Sequence, residues 1–114
     1  MAGEPGELLQ GTLEMMVLKT LSLEPMHGWG IAQRLQQMSS DVFQVNQGSL
    51  YPALQRMKNK GLVRSEWRTT ENNRRAAYYE LTAAGRRQLE RERAEWERSR
   101  SAVDGVLNWT GALA

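Results

Sequence analysis

The sequence predicts a mainly helical fold with one small β-hairpin, and three observations carry that prediction. Four segments place apolar residues at helical spacing, a stretch between the third and fourth alternates as paired strands do, and glycine, proline or asparagine punctuates the junctions. Near the middle of the chain a cationic helix runs directly into the hairpin. That order is the one a winged helix-turn-helix uses, with a further C-terminal helix suited to dimerisation.

The first helix is expected over residues 8–23, where Leu9, Leu13, Met16, Val17, Thr20 and Leu21 form one stripe. Leu8, Met15 and Leu18 lie outside it, so more than half the circumference is apolar. A helix this apolar in a small domain needs burial on two sides, one in its own core and one against a second subunit. Glu24-Pro25 ends it, because a residue before proline disfavours helix. The second helix is expected over residues 28–38 with Ile31, Leu35 and Met38 inward, and the lone histidine, His27, at its start. Ser39-Ser40-Asp41 breaks the chain, and a short extended piece follows over residues 42–45.

The third helix should begin within residues 46–49 and end at Gly61, a usual C-terminal position for glycine. Pro52 is expected near its first turn, where missing amide donors matter least. Leu50, Leu54 and Met57 fall on one face. The opposite face collects Gly48, Ser49, Pro52, Gln55, Arg56 and Asn59, with Tyr51 on the flank. Small residues let a backbone approach a groove closely, and Gln, Ser, Asn and Arg are side chains that hydrogen-bond to base edges. Residues 62–69 then alternate, with Val63, Ser65, Trp67 and Thr69 on one side. Residues 76–81 return with Ala77, Tyr79 and Leu81 on one side. The polar turn between them carries Arg74 and Arg75 at its exit, a suitable phosphate clamp.

Thr82 is placed to cap a last helix that runs to about residue 108. Its middle is dense in charge, and Leu89, Trp96 and Val103 recur every seven residues, with Val106 and Leu107 beyond. So narrow a seam buries little against its own domain, and pairing with another subunit is its natural use. The expected dimer surface comprises Leu9, Leu13 and Met16 of the first helix with Leu89, Trp96, Val103 and Leu107 of the last. The organisation is then a DNA-binding unit over residues 7–81, a dimerisation helix over 82–108, and loose ends at 1–6 and 109–114.

Composition limits the function. The 114 residues suffice for one domain with a modest core. No apolar run approaches the roughly 18 residues of a membrane span, and no export signal is evident. The absence of cysteine excludes disulfides and thiolate metal sites and fits a reducing cytoplasm, the expected location. The net charge is only +2, but its distribution is uneven. Up to residue 44, Lys19 and Arg34 face Glu4, Glu7, Glu14, Glu24 and Asp41. Over residues 45–79, Arg56, Lys58, Lys60, Arg64, Arg68, Arg74 and Arg75 face only Glu66 and Glu71. Cations gathered on the third helix and hairpin point to a polyanionic partner, double-stranded DNA. No metal spacing, nucleophile with base and orienting partner, or glycine-rich phosphate loop is present, so no enzyme and no cofactor is expected.

Four stretches carry a resemblance: Gly11-Thr-Leu-Glu-Met-Met-Val-Leu, Met26-His-Gly-Trp-Gly-Ile, Gly48-Ser-Leu-Tyr-Pro-Ala-Leu with Lys60-Gly-Leu-Val, and Arg74-Arg-Ala-Ala-Tyr-Tyr-Glu-Leu-Thr-Ala-Ala-Gly. In this order they resemble the short members of the PadR family, the phenolic acid decarboxylase repressors. The resemblance implies a homodimeric winged-helix transcription factor, usually a repressor, dimerised through its first and last helices and often released from DNA by a small molecule. By position it implies DNA contacts from Gln47, Ser49, Tyr51 and Arg56, with Arg74 and Arg75 clamping phosphates and Tyr79 packing under the wing. Trp29 stands where the family usually has tyrosine. In drug-binding relatives an aromatic at the middle of the last helix faces its symmetry mate. Trp96 holds that place here, either sandwiching a small aromatic effector or only packing the dimer. The competing functions are a protein-binding winged helix with an acidic partner, and a ligand-sequestering dimer with little DNA role.

Overall fold

The computed structural model describes residues 5–113, with side chains from residue 11 onward. The order is α1 (Pro5–Leu23), β1 (Met26–His27), α2 (Gly28–Met38), α3 (Gln47–Asn59), β2 (Val63–Thr69), β3 (Arg75–Leu81) and α4 (Ala83–Leu107). Each expected helix and both hairpin strands are present. Helix α1 starts at Pro5, so Pro5 and Gly6 do not belong to a loose end.

Capping fixes where three helices begin. His27 precedes α2, and its Nδ1 accepts the Gly30 amide at 3.0 Å. Asn46 precedes α3 and its Oδ1 accepts from the Ser49 amide at 2.9 Å. Thr82 precedes α4 and accepts from the Gly85 amide at 3.0 Å. Each supplies an acceptor to an amide that the first turn leaves unpaired. Helix α3 ends at Asn59 with Lys60 as its C-cap, and Gly61 follows with φ +75°, a conformation glycine adopts without strain.

The sheet is three-stranded, ordered β1-β3-β2 and antiparallel throughout. Strand β1 was not anticipated: two residues are too few to show alternation, and its pairing of Met26 with Tyr79 and His27 with Tyr78 is a tertiary event. The hairpin faces are as expected, with Val63, Ser65, Trp67 and Thr69 opposite Leu81, Tyr79, Ala77 and Arg75. Its turn includes Asn73 at φ 61°, a conformation asparagine tolerates. Residues 42–45 form no strand.

The core joins Leu13, Val17, Leu18 and Leu21 of α1 with Ile31 and Leu35 of α2, Leu50, Ala53, Leu54 and Met57 of α3, and Leu62, Val63 and Leu81 of the wing base. Two expectations about α1 change. Leu18, outside the expected stripe, is fully buried, because α1 is covered from more than one direction by α2, α3, β3 and α4. Leu13, expected at a subunit interface, is only 4% exposed within its own protomer and has almost no surface to offer a partner. Met16 and Leu89 are partly buried against the same core. The Leu9 side chain lies outside the described residues. Pro52 lies in the second turn of α3 rather than the first. The Gly48 carbonyl therefore lacks its helical amide donor, an arrangement suited to an exposed position where water replaces it.

Helix α4 rests on α1 and β3. Beyond Glu92 its residues are exposed, among them Trp96, Val103, Val106 and Leu107. Its root is fixed tightly. The Thr82 hydroxyl lies 2.7 Å from the Gly61 carbonyl oxygen and 3.0 Å from that of Leu62. Gly85 is buried, and a Cβ there would overlap the Leu62 carbonyl oxygen and stand 2.6 Å from Leu81 Cδ1. Because one obstacle is backbone, Gly85→Ala should lower unfolding free energy in urea by about 1–3 kcal/mol through overpacking; an unchanged midpoint would contradict this packing.

Candidate nucleic-acid interface

Four buried side chains on α3, Leu50, Ala53, Leu54 and Met57, fix its rotation about its own axis. What faces outward follows. The exposed side centres on Gln55, with Gly48, Pro52 and Asn59 on one flank and Tyr51, Lys58 and Gln47 on the other. Ser49 is exposed, with its amide tied to the Asn46 cap.

Arg56 departs from expectation. Its position is about 100° around the helix from Gln55, at the margin between outer and inner faces. From there its side chain turns toward α1, and Nε donates to Glu14 Oε2 at 3.0 Å. Lys60 Nζ stands 3.9 Å from the other oxygen of the same carboxylate. Arg56 is thus half-buried and ion-paired, beside the outward face rather than on it.

The wing meets the start of α3 across a groove of about 810 Å³ whose lining includes Tyr51, Trp67, Arg74, Arg75 and Tyr79. Tyr51 lies over Gly28 at the start of α2, where a Cβ would come within 2.6 Å of its hydroxyl; glycine is what lets the ring settle there. Arg75 and Trp67 share the hairpin face that carries Tyr79. Burial raises the Tyr79 phenol above its ordinary value, with a smaller contribution from Tyr51, so Tyr79 stays neutral. It packs against the core, as expected.

Electrostatics sorts the seven cations of this region. Arg64 pairs with Glu80, Arg68 with Glu66, and Arg56 and Lys60 with Glu14. Arg68 also lies over the Tyr78 ring, 5.2 Å from its centroid. Among the described residues Lys58, Arg74 and Arg75 have no acidic partner. The fold therefore brings Tyr51, Arg74 and Arg75 to one groove, keeps Gln47 and Ser49 exposed near the start of α3, and sets Arg56 apart. Gln55, expected on this outer face, and Lys58 complete it, although the sequence assigns neither a DNA contact. Trp29 and Trp67 also stand out at 55% and 66% exposure, Trp29 with its ring stacked against His27 at 6.1 Å. Trp67 carried a readable signal, an aromatic on the alternating face directly before the basic turn.

Elsewhere a cleft of about 450 Å³ opens between α1 and α4, and Met15, Glu14, Glu92 and Trp96 are on its walls. No group of three or more His, Cys, Asp or Glu with metal-binding geometry exists among the described residues. No helix among them is long and apolar enough to cross a membrane.

Four helices, a three-stranded sheet and a cationic hairpin beside the exposed polar face of α3 define a winged-helix fold. The profile of the Transcriptional regulator PadR-like family matches residues 17–91, and the chain belongs to that family. It is 31% identical over 106 residues to the transcriptional regulator Rv3488 of Mycobacterium tuberculosis, covering 92% of this chain and 95% of that protein. Among solved structures, the PadR-like transcriptional regulator of Bacillus cereus superposes with a TM-score of 0.78 at 27% identity, covering 91% and 99% of the two chains. The PadR family regulator of Eggerthella lenta gives 0.78 at 31% identity, covering 91% and 88%. The chain is thus a PadR-like transcriptional regulator of the winged-helix fold.

Proposed function

We propose that this regulator acts as a homodimeric repressor that binds a pseudo-palindromic operator. Residues 7–81 form the DNA-reading unit and residues 82–108 the dimerisation helix. One observation carries the reading: Tyr51 of α3 lines the same groove as Arg74 and Arg75 of the wing, which have no acidic partner among the described residues. The start of α3 enters the major groove with Gln47, Ser49 and Gln55 toward base edges, as amide and hydroxyl side chains can pair there. Tyr51, Lys58, Arg74 and Arg75 hold the sugar-phosphate backbone alongside. The exposed Trp96, Val103 and Leu107 of α4 supply the apolar seam that a second copy covers.

In this reading Arg74→Ala/Arg75→Ala weakens specific and random duplex alike, and the slope of log affinity against log salt falls by about 2. A loss confined to the specific site in gel-shift titrations would count against a phosphate clamp. Selection of bound duplexes from a random pool should return inverted half-sites whose centres lie roughly 34 Å apart, one helical turn of DNA. Recovery of single, unsymmetrical sites would sink the dimeric reading.

The cleft between α1 and α4 supports a place for an effector, because the Trp96 indole stands exposed at its wall. A flat aromatic molecule is held between Trp96 and its symmetry mate, and its binding releases the DNA. Titration with flat aromatic dyes should quench tryptophan emission well below millimolar concentration, and Trp96→Phe should abolish that response. Quenching that survives the substitution would place the dye at Trp29, Trp67 or Trp109 instead.

A further inference from the structure

Two of the three cations on α3 and its C-cap are already engaged by a single carboxylate. Arg56 Nε donates to Glu14 Oε2 at 3.0 Å, and Lys60 Nζ lies 3.9 Å from Oε1, so each oxygen serves one cation. The Glu14 side chain is 17% exposed, that of Arg56 39% and that of Lys60 61%, so Arg56 is the more closely held of the two. Lys58, two residues from each of them, has no acidic partner among the described residues.

Glu14 has little freedom to leave. Its neighbour Leu13 is in the core, and Val17, one turn on, is fully buried, so the α1 backbone beneath the carboxylate is anchored. Arg56 is anchored from the other side by the fully buried Met57. A carboxylate and a phosphodiester offer a guanidinium the same chemistry, an anionic pair of oxygens. An intramolecular carboxylate on a fixed helix is present at all times. With Glu14 mostly covered and Arg56 half-buried, their pair is also screened less by salt than a contact to an exposed phosphate.

Resting on the DNA-binding reading above, we infer that Glu14 is an internal substitute for phosphate that withholds Arg56 and Lys60 from the duplex and so limits the affinity of α3 for DNA. The cations that count toward DNA association are then Lys58 on the helix and Arg74 and Arg75 on the wing. Arg56 and Lys60 hold α3 against α1 and add nothing to counterion release. Glu14 is a positioning residue: it acts on the operator through the two cations it keeps.

The test compares salt dependence of duplex binding in full-length variants. Glu14→Gln keeps the side-chain shape and removes the charge, freeing two cations. The slope of log affinity against log salt should steepen by up to about 1.8, so that raising salt fourfold costs the variant roughly tenfold more affinity than the wild type. Binding at low salt should be tighter, and adding Arg56→Gln and Lys60→Gln to Glu14→Gln should restore the original slope. A second pair of variants does not disturb Glu14. Lys58→Gln should flatten the wild-type slope by about 0.9, while Lys60→Gln leaves it unchanged. An unchanged or flatter slope in Glu14→Gln with duplex binding retained overturns the inference, as does a flatter slope in Lys60→Gln. If Glu14→Gln fails to fold, the two lysine variants decide alone. Failure of the wild type to bind any duplex at low salt removes the DNA-binding reading and this inference together; binding with the wrong slopes removes only the inference.

Discussion

The rotation of α3 about its own axis is the constraint from which the outer surface follows. Leu50, Ala53, Leu54 and Met57 are completely removed from solvent, and they meet α1, α2 and the base of the wing. Each contributes roughly 0.5–3 kcal/mol of apolar burial, so turning the helix by one position would expose large side chains and bury Gln55 or Lys58. That penalty makes the rotation a fixed quantity. It follows that Gln55 points directly outward, that Tyr51 leans toward the wing, and that Arg56 is delivered to α1. The polar face has no say in its own direction; the apolar face sets it.

Much of this was legible because the chain punctuates itself well. His27, Asn46 and Thr82 stand where the capping acceptors are, Gly61 adopts the left-handed conformation after α3, and the hairpin faces follow the alternation of residues 63–81. What was not legible has a common cause, which is dependence on a distant partner. Arg56 sits at the margin of the helix, where periodicity alone does not choose a side, and Glu14, forty-two residues away, decides it. Strand β1 exists only because Tyr78 and Tyr79 pair with it. Leu18 fell outside the expected stripe of α1, yet α1 is enclosed on so many sides that the stripe is wider than one helical face. Leu13 shows the converse, an apolar residue assigned outward that its own protomer claims completely. Pro52 was expected near the first turn of α3, and it is tolerated in the second because the carbonyl it deprives, that of Gly48, is at an exposed position.

The apolar residues that remain exposed are unevenly placed. Trp96, Val103, Val106, Leu107 and Trp109 lie on or just beyond the distal part of α4, where Trp96 borders the cleft toward α1 and the rest stand exposed. Arg98 with Glu95 and Arg100 with Glu97 lie beside them as one-turn ion pairs, which contribute only tenths of a kcal/mol each. The 25-residue helix extends about 37 Å, and these pairs support its exposed part only weakly. Ion pairs of this strength maintain helicity but do not cover apolar surface, so the seam along α4 is the part of the chain least satisfied by its own fold.

Helix α1 stands between that seam and the outer face of α3. It packs on α2, α3, β3 and α4, whereas α4 rests chiefly on α1 and β3, and α3 on α1, α2 and β2. Glu14 is on the side of α1 that reaches α3, and it also lines the cleft opened between α1 and α4. With Leu13, Val17, Leu18 and Leu21 all in the core, α1 cannot bend without opening cavities, and a large-to-small vacancy in a core costs about 2–5 kcal/mol. Displacement of α1 is therefore available only as a small rigid shift. The groups most sensitive to such a shift are those joined by a few distance-dependent contacts rather than by many packed atoms, and the pairing of Glu14 with Arg56 and Lys60 is of that kind.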